Sequence, residues 1–120
     1  MKTYRDLIVW KKAIMLVTEI YSATSNFPKE ELFSITSQIK RSGISIPSNI
    51  AEGYGRQHRL EYIRFLQIAR GSLYELQTQL EISGNLNFLS QTTLLSLLEK
   101  CNEIERMLNK LINVLKLYCK

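Results

Sequence analysis

His58 is the only histidine among the 120 residues, so neither a ferritin-like pair of Glu-x-x-His motifs nor a multi-histidine metal site can be assembled. Helical nucleases that set an Arg shortly before the His are poorly matched, because the approach to His58 runs through Ala51, Glu52 and Gly53. The residue reads as an exposed helix start. Gly53-Tyr54-Gly55-Arg56 touches on a phosphate loop, since free backbone N–H groups at a helix start attract anions. Yet no strand precedes it and no Lys-Ser/Thr follows, so a helix end with a tight turn is the stronger reading. Glu52 and Arg56 have the spacing of a surface pair within a helix, worth a few tenths of a kcal/mol, or about 0.2–0.5. No paired carboxylates suggest acid–base chemistry. Cys101 and Cys119 fall in one expected helix about 27 Å apart along its axis, too far to bridge. Cys101 occupies an apolar position and Cys119 the helix end, which fits a reducing compartment.

Charge is more informative than chemistry. The chain carries 16 Lys and Arg against 11 Asp and Glu, a net charge of +5. Lys40, Arg41, Arg56, Arg59, Arg64 and Arg70 face only Glu52 and Glu61 within residues 40–70, whereas residues 71–99 contain no Lys or Arg. The last 21 residues are basic again. Such an uneven distribution suits an acidic partner, with a merely solvated surface as the alternative.

The elements that would position these groups are helices. With 45% hydrophobic and 22% charged residues, only two prolines and five glycines, the composition is that of one globular, helix-rich domain over residues 1–120. Lys11 and Lys12 interrupt the apolar N-terminus, so it is an amphipathic helix and not a leader. No apolar run is long enough to span a bilayer, and a soluble, cytoplasmic protein is expected.

The first helix is expected over residues 6–25, with Leu7, Trp10, Ile14, Val17 and Tyr21 inward and Ala13 and Ile20 widening the stripe. Phe27-Pro28 ends it and opens the second helix, whose stripe is Leu32, Ile35, Ile39, Ser42/Gly43, Ile46 and Ile50. The period survives Pro47, so the segment reads as one helix kinked near residues 43–47. The third helix runs over about 58–82 with Tyr62, Phe65/Leu66, Ala69, Leu73, Leu76 and Leu80 inward, and Ser83-Gly84-Asn85 ends it. Leu86, Phe88 and Leu89 pack across the connection. Ser90 caps a fourth helix with Leu94, Leu97, Cys101, Ile104, Leu108, Leu111, Leu115 and Tyr118 at heptad positions. Four such helices with short links predict an all-α, antiparallel up-down-up-down four-helix bundle.

Ile8 and Met15 lie opposite the first helix's stripe, and Leu60, Ile63 and Tyr74 lie outside the third helix's core arc. These second stripes suggest self-association. A hairpin about Arg56 sets Gly43 opposite Ala69 and Arg41 opposite Gly71, with Glu75 close enough to pair with Arg41. Small residues would then let the second and third helices approach at the kink.

The segments DLIVWKKA, FPKEELFSITSQIKRSGISIPSNIAEGYGR and RFLQIARGSLYELQTQL resemble the bacterial four helix bundle protein family. Its founding members are encoded in intervening sequences of 23S rRNA genes. The likeness spans nearly the whole chain. It is densest at Gln38, Arg41, Ser45, Ile46, Pro47, Asn49, Ala51, Glu52, Gly53, Arg56, Phe65, Ala69, Gly71, Ser72 and Glu75. Ser42-Gly43 departs from an Ala-rich pair, which would leave the kink freer. The resemblance implies a ring-like homopentamer, with no established enzymatic activity and no cofactor. Kinship with the accessory variability proteins of diversity-generating retroelements implies association with RNA or a nucleic-acid-processing protein, and the family's history a ribosome-associated role.

Two readings of function follow. One is a non-enzymatic homo-oligomer whose Lys40, Arg41, Arg56, Arg59, Arg64 and Arg70 engage RNA or an acidic partner through phosphate-type contacts. The other is a structural or protein-interaction module whose charge serves solubility. Neither requires a metal, a membrane or a small-molecule substrate.

Overall fold

A computed structural model describes residues 2–118 of the chain. A short 3-10 turn at Tyr4–Asp6 leads into α1 (Ile8–Thr24), followed by α2 (Ile35–Tyr54), α3 (Arg59–Asn85) and α4 (Gln91–Lys116). The helices alternate in direction around one shared core and form an all-helical bundle of 48 × 22 × 22 Å. Cys119 lies outside the described residues.

The core is formed by one face of each helix. α1 contributes Val9, Ala13, Leu16 and Ile20, and α2 contributes Ile39, Ile46 and Ile50. α3 adds Ile63, Leu66, Ala69, Leu73, Leu76 and Leu80, and α4 adds Leu94, Leu97, Cys101, Ile104, Leu108 and Ile112. The α1 face is rotated from the expected one: Ile14 and Tyr21 are exposed, and Trp10 and Val17 are only partly covered. The apolar arc of α1 is broad, running from Leu16 and Val9 round to Tyr21 and Ile14 opposite Lys11, Lys12 and Glu19, so its period alone did not select which part of the arc turns inward. On α4 the core moves from Leu111 to Ile112 and Tyr118 is exposed, as a straight 3.6-residue helix drifts from a strict heptad.

α2 starts later than expected. Pro28 opens a 3-10 turn at Lys29–Glu31, and Leu32 is exposed. The Ser34 amide donates to the Glu31 carbonyl at 3.0 Å and its hydroxyl to the Glu31 carboxylate at 2.7 Å. Such local bonds offer the backbone an alternative to helix. From Ile35 the helix is continuous through buried Pro47, where the Gly43 carbonyl forgoes its usual donor.

The α2–α3 register also differs from the expected one. A Cβ on Gly43 would meet Ile20 at 3.4 Å and Val17 at 4.0 Å, so this glycine faces α1 and not Ala69. Gly71 is exposed with nothing within 4 Å of a built Cβ. Arg41 and Glu75 are both exposed, and no ion pair joins them. The true contacts run further along α3. Ser45 and Ser72 hydroxyls lie 2.8 Å apart, and the Ser42 hydroxyl donates to the Gln79 side-chain oxygen at 2.8 Å. Asn49 supports Ser45 by donating to its carbonyl and hydroxyl at 2.8 and 2.9 Å. The physical reason is Gly53, whose built Cβ would fall 2.7 Å from Phe65 Cβ and 3.1 Å from Tyr62. The end of α2 is thus seated one turn into α3 instead of at its first residues.

α3 likewise continues through Ser83 and Gly84 to Asn85. The reversal uses Asn87, at φ 63°, a left-handed conformation that Asn tolerates better than most residues. Phe88 and Leu89 then pack inward, Phe88 with its ring 5.5 Å from that of Phe27, whereas Leu86 is exposed. The Ser90 hydroxyl accepts from the Thr93 amide at 3.2 Å and caps α4.

The two glycines therefore predict opposite outcomes. Gly53→Ala pushes a methyl group into Phe65 and should lower stability by about 1–3 kcal/mol. Gly71→Ala adds a methyl group to open helix surface and should raise it by about 0.5–1 kcal/mol. Urea denaturation followed by circular dichroism measures both.

Candidate nucleic-acid interface

Alternation of the helices brings the start of α1, the end of α2, the start of α3 and the end of α4 to one pole of the bundle. Arg56, His58 and Arg59 sit there on and beside the turn, with Arg64 just over a turn further along α3. His58 is the exposed N-cap of α3. The 3-10 turn at Tyr4–Asp6 packs on α2 and delivers Lys2 and Arg5 to the same pole. The Arg59 guanidinium lies 4.7 Å from the Tyr118 ring centroid and donates to the Tyr118 carbonyl at 3.4 Å, which brings in Lys116. Lys2, Arg5, Arg56, Arg59, Arg64 and Lys116 thus outnumber Asp6, Glu52 and Glu61, and all six are exposed.

Local contacts hold several of these groups. Arg56 bonds Glu52 at 2.8 Å and lies 4.8 Å over the Phe65 ring. Arg5 lies 5.5 Å over Tyr4, whose ring meets Trp10 edge-on at 5.2 Å. Tyr54 and Tyr62 meet edge-on at 6.0 Å beneath the turn. Among the described residues, only Arg56 of the six cations makes an ion pair. The rest keep their charge available to a partner.

The structure divides the six basic residues expected to act together. Arg56, Arg59 and Arg64 share the pole. Lys40 and Arg41 lie about 20 Å up α2, at 1.5 Å per residue. Lys40 is held over the Tyr21 ring at 4.6 Å, and Arg70 turns toward α4, donating to Asn109 at 2.8 Å. Lys2 and Arg5 were not anticipated, and Lys116 only as part of the basic C-terminal stretch, although the up-down topology is itself the signal that places both chain ends beside the α2–α3 turn. Of the apolar residues expected at subunit contacts, Ile8, Met15, Leu60 and Tyr74 are exposed, but Ile63 is 5% exposed and belongs to the core. Its place one turn before Leu66 aligns it with α3's inward face. The resemblance residues divide: Ser45 and Ser72 join α2 to α3 with Asn49 supporting Ser45, Gly53 and Pro47 are buried, and Gln38, Arg41, Glu52, Arg56, Gly71 and Glu75 are exposed.

Burial pushes the Tyr62 hydroxyl up to about 12, with a smaller contribution from Tyr54, and the Cys101 thiol up to about 12. Tyr74 is raised mainly because it donates to Glu105 at 2.7 Å. All three stay protonated at neutral pH. Among the described residues, no three His, Cys, Asp or Glu side chains gather as a metal site requires, and no helix is long and apolar enough to cross a membrane.

Fold and pole together define a small helical bundle with a concentrated basic end. The chain belongs to the 23S rRNA-intervening sequence protein family, which matches residues 5–110. It is similar to a Bacteroides thetaiotaomicron VPI-5482 protein of the S23 ribosomal protein family, itself of unknown function and known as a crystal structure. The two share 28% identity over 88% of this chain and 98% of that one, with a TM-score of 0.79. Among curated proteins none matches.

Asp6 fixes the N-terminal contribution to the pole. Its carboxylate accepts from the Lys2 amide at 2.8 Å and the Thr3 amide at 3.2 Å, and these bonds hold its pKa below the ordinary 3.8. A depressed carboxylate pKa gives the turn support that is complete above the unfolded value and lost as pH falls through the folded one. Carbon-detected NMR should therefore place the Asp6 titration below 3.8. Asp6→Asn should speed amide exchange at residues 2–6 without moving the core.

Proposed function

We propose that this protein is a non-enzymatic homo-oligomer that engages RNA, or a nucleic-acid-processing protein, through its basic pole. The observation that carries the reading is the gathering of Lys2, Arg5, Arg59, Arg64 and Lys116 at one end without carboxylate partners. Self-association would multiply that field, and phosphate groups are the natural counterpart of clustered Arg and Lys. The family's link to 23S rRNA intervening sequences agrees with it. Oligomerisation is supported by exposed Ile8, Met15 and Leu60, and a pentamer is the number the family resemblance implies. Those apolar residues equally support the second reading, a protein-interaction module without a nucleic-acid role. Aromatic groups at the pole are mostly engaged with one another, so backbone contacts would dominate over base reading.

The test is RNA binding by fluorescence anisotropy across a salt series. Affinity should fall steeply with salt, with log K declining by roughly 0.7–0.9 per contacted phosphate for each unit of log salt. Arg59→Glu with Arg64→Glu should weaken binding at least about tenfold and reduce the salt slope by roughly 1 per lost contact. Circular dichroism should remain unchanged, since exposed substitutions rarely cost much stability. Undetectable binding at low salt removes the RNA reading. A nuclease-insensitive protein partner would favour the second. Light scattering of the wild type at micromolar concentration tests self-association separately, and a monomer would contradict it.

A further inference from the structure

Phe33 is 91% exposed, the most exposed large apolar side chain among the described residues. It stands on the turn between the Lys29–Glu31 3-10 segment and α2, held outward by the Ser34–Glu31 bonds. On another part of the same molecule, α1 and α2 leave an open apolar groove of about 340 Å³. Tyr4, Trp10, Ile14, Val17, Ile44 and Pro47 line it. An apolar space of about 150 Å³ is enough to take a benzene ring, so this groove has room for a phenyl group and a neighbouring aliphatic side chain such as Leu32.

Phe33 cannot reach the groove of its own chain. The groove centres on Pro47, about 18 Å along α2 from Ile35 at 1.5 Å per residue. The occupant must come from another molecule, and the charges indicate which. The turn carries Glu30 and Glu31 against Lys29, a net negative knob. Outside the groove's lining, helical spacing sets Lys11 beside Ile14 on α1 and Arg41 beside Ile44 on α2, each three residues earlier. Both are exposed, and neither makes an ion pair among the described residues. Spacing of three residues puts each cation on the same helix face as the apolar residue beside it. An acidic turn bearing an aromatic knob therefore complements an apolar groove flanked by two cations, and both patches belong to this chain.

We propose that Phe33 of one copy seats in the α1–α2 groove of a second copy, with Glu30 and Glu31 against Lys11 and Arg41. The inference rests on the self-association reading above and supplies its contact. Two different patches meet, so each copy offers its knob to the next, and the series closes into a ring if the rotation between copies permits. The contact also gives a role to the groove around Pro47 that helix packing alone does not.

Complementation of two assembly variants tests it. Phe33→Glu removes the knob and keeps the groove, whereas Ile44→Glu blocks the groove and keeps the knob. Each should sediment as a monomer at a concentration where the wild type is assembled, with an unchanged helical spectrum. Mixed, they should form a 1:1 dimer, because one intact knob and one intact groove remain. Trp10 is the only tryptophan, so its emission should shift to shorter wavelength when the groove is covered and return on dilution. Should Ile44→Glu fail to fold, Ser48→Glu, at an exposed position lining the same groove, takes its place. If the wild type is monomeric, the self-association reading falls and this contact with it. If the wild type assembles and Phe33→Glu keeps the wild-type mass, only the contact is overturned. Two monomeric variants that do not pair on mixing overturn it as well.

Discussion

At Gly53 the α2 backbone comes so near Phe65 of α3 that a single methyl group would fall 2.7 Å from it. Most of the functional geometry depends on that contact. It seats the end of α2 against the second turn of α3 and so sets which residues meet for the remaining length of both helices. Ser45 reaches Ser72 and Ser42 reaches Gln79 because of this offset. Each of those hydroxyls is at least partly buried, and each would carry a desolvation penalty if the register slipped and left it unpaired.

Small residues on α2 divide their work between two neighbours. Gly43 and Pro47 turn to α1, where the glycine admits Ile20 and Val17 and the proline forms the floor of the open groove. Gly53 turns to α3. The short polar groups Ser42 and Ser45 occupy the face between and fasten α2 to α3 without adding bulk, with Asn49 holding Ser45 from within α2. A single helix can serve both neighbours because its small residues are spread around its circumference and not stacked on one stripe. The cost is a surface left partly apolar on the α1 side, where no further helix of this chain covers it.

The basic pole depends on the same architecture by a longer route. Arg56 and Arg59 stand at the turn that Gly53 helps to position. The antiparallel order of the helices brings both ends of the described chain to that turn. Lys2 and Arg5 arrive through the Asp6-capped segment, and Lys116 through the contact of Arg59 with Tyr118. Charges far apart in the chain thus become one field, whereas Lys40 and Arg41, close to that turn in sequence, are carried about 20 Å away by the rise of a rigid helix.

Helical class, the number of helices, the Ser90 cap and most of the α2, α3 and α4 core were legible in the residues themselves. These properties follow from local propensity and from apolar spacing within one segment. The uneven basic charge was legible for the same reason, since composition along the chain is a one-dimensional property. The facing of α1, the removal of Ile63 from the surface and the absence of an Arg41–Glu75 pair were decided by tertiary structure. A helix with a broad apolar arc does not select which part of that arc is buried, and a hairpin register drawn from its turn takes no account of where backbones can touch. Gly53 decides that register because it is the place where α2 and α3 can come within a methyl group of each other, and this depends on Tyr62 and Phe65 in the other helix. The pole and the groove belong to the same category: their residues come from three or four separate segments, and only the packed bundle makes them neighbours.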